Sequence, residues 1–202
     1  MQRSFLIFAT AFIALMAGAL FYAARIPVEL ATPEVTPEPV ADAGYAAVYP
    51  SFKLVDLDAA ERDFSEWQGK HRLINFWATW CAPCRREIPL LKAFQDEHGA
   101  DGFQIIGIAV DFPDEVLAYA EEAQFNYPVL VGQEDAMAVA EMSGIDFIGL
   151  PFTMIVAADG ELINTHVGEI MDSHLEHIVR VLTLLNKGEI DKASARKALN
   201  FL

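Results

Sequence analysis

Cysteine is nearly absent from this chain: two in 202 residues, Cys81 and Cys84. A scaffold stapled by several disulfides needs cysteines in number, spread along the chain, so that class is excluded. A structural zinc site typically takes four ligands, and one CxxC supplies two. Bases are scarce as well. There are 14 Lys and Arg against 29 Asp and Glu, and the first 26 residues hold two of the bases, Arg3 and Arg25, and no acid. The other 176 residues therefore carry 12 bases (14 less those two) against 29 acids, a balance of −17. A body so acidic repels phosphate backbones and disfavours nucleic acid as a partner. Its charge reads as a solubilising surface. No internal repeat and no flavin or nucleotide motif stands out, so no cofactor is expected.

What the chain does have begins at its N-terminus. Ser4 to Ala24, SFLIFATAFIALMAGALFYAA, is 21 residues without a charge. At about 1.5 Å per residue such a helix crosses a hydrocarbon core of about 30 Å. Arg3 and Arg25 flank it, and Phe21 and Tyr22 sit where aromatic rings favour the membrane interface. A cleaved signal peptide has a shorter apolar core. Residues 1–26 are therefore expected to be an uncleaved signal anchor, although Ala17-Gly18-Ala19 offers a cleavage site. Pro27, Pro33, Pro37, Pro39 and Pro50, set among Glu, Thr and Ala, make residues 27–50 a spacer without core-forming content. A globular domain is expected over 51–188 and a helical tail over 189–202.

Within the domain, Phe52–Asp56 reads as a strand with a turn at Asp58, and Ser65–Lys70 as a turn or short helix. Arg72–Ala78 and Phe103–Val110 are apolar runs suited to buried strands. Ile88, Leu91 and Phe94 recur at helical spacing over 82–98, and Gly99 can end that helix. Helices follow over 113–124 and 134–142, with a strand over 127–131 between them. A hairpin is expected over 152–157 and 161–167, turning at Asp159-Gly160, then an amphipathic helix over 173–185 and one more over 190–202. Early strand–helix alternation argues for parallel crossovers, and the late hairpin adds an antiparallel edge. The fold class is α/β, a central mixed sheet with helices on both faces.

Cys81 falls where a buried strand turns into a helix. Unpaired N–H groups and the helix dipole favour negative charge there, and CxxC spacing also lowers a thiol pKa. Arg85 and Arg86 add positive potential or are simply solvated. Cys84 lies one turn on, close enough to attack a mixed disulfide at Cys81. Cys81 is thus the expected nucleophile and Cys84 the resolving thiol. A structural disulfide is the blander reading, but a two-residue loop gains little from closure. A metal pair with histidines finds no support in the spacing, so no metal is expected. His174 and His177, one turn apart, and His71 and His98 read as solvated, and His166 as structural or exposed.

The stretch LINFWATWCAPC resembles the thioredoxin superfamily. Its continuation, CAPCRREIP, resembles the TlpA/ResA/CcmG group of membrane-tethered extracytoplasmic reductases. The resemblance covers about Phe52 to Leu185. It implies a thioredoxin-like fold and a thiol–disulfide oxidoreductase. It implies that Pro151 is a cis-proline facing the disulfide, exposing the Leu150 backbone to substrate, with Trp80 and Pro83 beside it. Trp77 and Trp80 match the aromatic residues bracketing the motif. Glu87 matches an acid near the active site that modulates thiol pKa values or shuttles protons. Asn75 stands where cytosolic thioredoxins carry a buried Asp, so Glu87 is expected to substitute. The length of 111–144 matches an insertion typical of the group.

For partners, the resemblance implies protein disulfide substrates, apocytochrome c among them, and a membrane electron donor of the CcdA/DsbD type. It places the chain on the bacterial inner membrane, single-pass, with the domain in the periplasm. Two other classes share this fold: a thioredoxin-fold binding or chaperone module, and a peroxiredoxin-type peroxidase. The latter needs Pro-x-x-x-Thr/Ser-x-x-Cys, and Cys81 lacks that upstream proline.

Overall fold

The computed structural model describes residues 49–142, 144 and 149–200. The expected anchor, nearly all of the spacer and the last two residues of the tail lie outside these. Among the described residues no helix is long and apolar enough to cross a membrane.

Among the described residues seven strands form one sheet: β1 (Lys53–Asp56), β2 (Glu61–Asp63), β3 (His71–Trp77), β4 (Phe103–Val110), β5 (Val129–Gly132), β6 (Phe152–Val156) and β7 (Leu162–Val167). Their spatial order is β2-β1-β5-β4-β3-β6-β7. β3, β4 and β5 are parallel, and the other pairings are antiparallel. The α-helices among the described residues are α1 (Ala82–His98), α2 (Pro113–Ala123), α3 (Glu134–Glu141), α4 (Asp172–Asn186) and α5 (Lys192–Leu199). This is the mixed, helix-flanked sheet that the resemblance to thioredoxins implies.

The central strand β3 is buried at all seven positions, as a strand covered on both faces must be. Its side chains alternate between two cores. Leu73 and Trp77 join Ile88, Leu91 and Phe94 of α1, Val116 of α2 and the inner faces of α4 and α5. Ile74 and Phe76 join Ala136, Val139 and Ala140 of α3, with Phe64 and Trp67 of a 3-10 turn. Asn75, between them in the alternation, faces α1. Gly107 on β4 lies opposite Asn75, and a Cβ there would sit 3.2 Å from Trp77 Nε1 and 3.3 Å from Tyr127 Cε2. The strand passes close under two aromatic rings, and a side chain there would push them aside by a few tenths of an ångström.

Several expectations change. The turn or short helix expected over 65–70 is a 3-10 turn that starts one residue earlier, Phe64–Trp67. β2 was not foreseen: Glu61-Arg62-Asp63 has no apolar residue, and it pairs with β1 as a charged edge. His71 is buried, its Nδ1 accepting from the Ala158 N–H at 3.2 Å, so it is no solvated residue. His98 is half-buried between Phe94 and Phe103. His174 and His177 are also half-buried; His174 Nδ1 accepts from Met171 N–H, and His177 Nε2 lies 3.0 Å from the Ala198 carbonyl. α5 packs onto β7 through Ala195 and Leu199, and the Leu199 carbonyl accepts from Asn164 at 2.6 Å.

Candidate active site

The turn Ala78–Cys81 joins β3 to α1. Cys81 caps the helix: its backbone is extended and its Sγ accepts from the Cys84 N–H at 3.3 Å. Pro83 follows in the first turn, where a missing N–H has no cost. No acid occupies that turn, so the positive helix end is unopposed at the sulfur. Cys81 and Cys84 form a disulfide with Cα atoms 5.3 Å apart. Cys84 is fully buried while Cys81 keeps 5% of its surface, so an incoming thiol meets Cys81 first.

Glu87 lies one turn beyond Cys84, on the same helix face. It is 1% exposed. Its Oε1 accepts from Asn75 Nδ2 at 2.7 Å and its Oε2 from the Ile170 N–H at 2.7 Å. Burial pushes its pKa up from 4.5 to about 7, against the two hydrogen bonds that pull it down; the charge of Glu169 adds to the rise. Burial likewise keeps the Tyr127 hydroxyl protonated, with the Glu87 charge reinforcing it. Arg86 is bound to Glu169, its Nε 3.1 Å from both carboxylate oxygens. Neighbours on α1 thus hold neighbours on the loop after β7. Arg86 is drawn toward Glu169, while Arg85 stays exposed.

The Leu150–Pro151 peptide bond is cis. β3 and β6 pair antiparallel with Phe76 opposite Phe152, which brings Pro151 and Leu150 level with Trp77 and Ala78, at the end of β3 that leads into the CxxC. Pro151's carbonyl accepts from the Gly168 N–H at 2.9 Å. Leu150 is half-buried beside it. Trp80 is 69% exposed, next to Cys81. The structure therefore gathers Trp80, Cys81, Pro83, Cys84, Glu87, Leu150 and Pro151 at one end of the sheet. Among the described residues no group of three or more His, Cys, Asp or Glu is placed to hold a metal.

Two residues here were not foreseen. Asp111, buried at the end of β4, accepts on Oδ2 from the Thr79 N–H at 2.9 Å and the Thr79 hydroxyl at 2.6 Å. Its Oδ1 accepts from the Phe112 N–H at 2.8 Å, and Phe112 is 62% exposed. Their place beside the redox loop follows from the pairing of β3 with β4 and from the hydrogen bonds to Thr79.

The AhpC/TSA family model matches residues 46–165. The thiol-disulfide oxidoreductase ResA of Geobacillus kaustophilus is 31% identical over 134 residues, 64% of this chain and 75% of that protein. The thioredoxin-like protein YneN of Bacillus subtilis is 29% identical over 131 residues, 63% of this chain and 74% of that one. A crystal structure of a thiol:disulfide interchange protein of the thioredoxin family from Chlorobium tepidum superposes with a TM-score of 0.62 at 29% identity, covering 67% of this chain and 95% of that one.

Proposed function

The chain belongs to the AhpC/TSA family and is a thiol–disulfide oxidoreductase of the TlpA/ResA/CcmG group; on that premise we propose that it reduces disulfides of exported proteins through Cys81 and Cys84. The observation that carries this reading is the Cys81–Cys84 disulfide at the unopposed N-terminus of α1, with the buried acid Glu87 one turn behind it.

In the reduced protein the Cys81 thiolate attacks one sulfur of a partner disulfide. A Cys81–partner disulfide forms, and the partner's second sulfur leaves as a thiolate and takes up a proton. Cys84 gives its proton to the Glu87 carboxylate and attacks Cys81 Sγ. The partner's first sulfur is released as a thiol and the Cys81–Cys84 disulfide closes. Two electrons have then passed to the partner. A pKa of about 7 suits Glu87 to accept and return that proton at neutral pH. The partner backbone lies across Trp80, Pro83, Leu150 and Pro151, pairing with the Leu150 backbone.

One dithiol without a flavin or nucleotide motif needs an external reductant. A membrane electron carrier of the CcdA/DsbD type fills that role in this reading, and apocytochrome c is among the substrates. Residues 1–26 anchor the chain in the bacterial inner membrane, and residues 27–50 hold the domain off it on the periplasmic side. The uncharged run Ser4–Ala24 and the dearth of bases after it support that placement.

Trapping tests the proposal. Cys84→Ala in the full chain should accumulate mixed disulfides through Cys81, and mass spectrometry of those adducts names the substrates. Cys81→Ala should trap nothing and reduce no test disulfide. Equal turnover by wild type and Cys81→Ala would sink the enzymatic role. A Cys81–Cys84 pair found mainly oxidised in cells would reverse the direction proposed. Labelling of the trapped cysteine in intact cells by a membrane-impermeant maleimide checks the periplasmic placement.

A further inference from the structure

β3 and β4 are parallel and in register, with Trp77 opposite Ala109. The same offset continues past the ladder. Thr79 meets Asp111 through the two hydrogen bonds to its carboxylate, which sets the residues that follow them, Trp80 and Phe112, on the rim that carries Cys81. They are the two most exposed large apolar residues among those described, at 69% and 62%. Neither hangs on a loose loop. One carboxylate, that of Asp111, holds the residue before Trp80 and the N–H of Phe112. The Phe112 carbonyl accepts from Glu115 and Val116, both at 3.1 Å, to start α2. Exposed aromatics held in place on the rim of a reactive centre contribute nothing to the core and are free to meet a partner there.

We propose that Phe112, with Trp80, is a specificity-determining residue. The pair selects extended polypeptide segments that carry an apolar side chain next to the cysteine to be reduced. This rests on the oxidoreductase reading above and adds the substrate class. Such side chains are accessible in chains that have not yet buried them, so the occupant is an unfolded or partly folded polypeptide. Asp114 and Glu115, exposed in the first turn of α2, repel acidic segments and admit neutral or basic ones. Asp111 is a positioning residue that acts through Thr79 and Phe112.

The test uses the pre-reduced full chain and two synthetic peptide disulfides that differ only in the residue beside the cysteine, leucine or serine. Wild type should show a KM about tenfold lower for the leucine peptide, the scale of discrimination an apolar contact gives. Phe112→Ser should raise that KM to within about twofold of the serine peptide while kcat at saturation holds, the pattern of lost binding rather than lost chemistry. Phe112→Leu should restore most of the preference, which a merely structural role would not predict. Val55→Ser, at an exposed apolar position on β1, should leave it intact. The inference is overturned if wild type shows no preference, or if the preference survives in Phe112→Ser. Wild type that reduces 2-hydroxyethyl disulfide but ignores the leucine/serine difference removes this inference and leaves the oxidoreductase reading standing. Failure on both substrates removes both.

Discussion

Asn75 on β3 reaches Glu87 on α1. Its Nδ2 donates to Glu87 Oε1 at 2.7 Å and to Thr153 Oγ1 at 3.0 Å, while its Oδ1, buried, has no partner. An amide in that position answers either protonation state of the acid. It offers N–H to the carboxylate, and after a half-turn about its last bond it offers C=O to the carboxylic acid. A pocket built this way stays satisfied while Glu87 titrates, which an apolar residue at 75 would not allow.

The rate should therefore rise with pH through the Glu87 titration. Since only the carboxylate can accept the Cys84 proton, kcat/KM for a peptide disulfide should climb through an inflection near pH 7, where burial has placed the Glu87 pKa. Glu87→Gln should lose that inflection and drop the plateau by about two orders of magnitude, the usual weight of one acid–base group. A pH–rate profile of the variant that kept the inflection would assign it to another group.

Stability should carry the opposite slope. The folded-state pKa of Glu87 lies above its ordinary 4.5, so between those values the native protein holds a proton that the unfolded chain has released. Stability from this group is full below about pH 4.5 and is lost as pH rises through about 7. The raised pKa corresponds to a loss on the order of 3 kcal/mol. Urea unfolding of the oxidised protein at pH 5 and pH 8 should show wild type losing more than Glu87→Gln across that interval.

Asn75→Asp, which restores the carboxylate of cytosolic thioredoxins, should harm this protein. Two carboxyl groups at hydrogen-bond distance cannot both ionise in a buried site, so they share a proton and titrate as a pair. The inflection in the rate profile should move up by about 1 or more, and the activity at pH 7 should fall accordingly. An unchanged profile would mean that the two side chains do not meet in solution.

The sequence carried more of this site than it declared. Cys84, Ile88 and Leu91 mark the buried stripe of α1, and Glu87 falls on that stripe at helical spacing. Its burial was readable there, yet a charged residue next to Arg85 and Arg86 looks like any solvated helix position. The continuous apolar run of β3 and the 3.6-residue rhythm of α1 were plain because burial of apolar surface dictates both. β2 was hidden for the converse reason. Glu61, Arg62 and Asp63 gain nothing from a core, and Lys53–Glu61 at 2.8 Å and Arg62–Asp56 at 3.2 Å line that edge with charge instead. Asp111 and Phe112 were beyond reach because their meaning depends on a strand register, and adjacent buried strands of similar composition do not announce one.

That register gives the last prediction. Asp111 accepts from Thr79 twice and from Phe112 once, so Asp111→Ala leaves at least two backbone N–H groups short of a partner at the edge of the core. An unpaired buried donor costs about 1–3 kcal/mol, and the variant should lose roughly 2–3 kcal/mol in urea unfolding. Release of Thr79 also frees the turn that presents Trp80 and Cys81, so kcat/KM should fall by about tenfold or more from misplacement of the reacting sulfur. Asp111→Asn retains one acceptor oxygen and should fall between wild type and Asp111→Ala in both measurements. Thr79→Val removes only the hydroxyl and should be the mildest of the three. If Asp111→Ala lost stability but kept full kcat/KM, the carboxylate would be holding the fold without setting the redox loop.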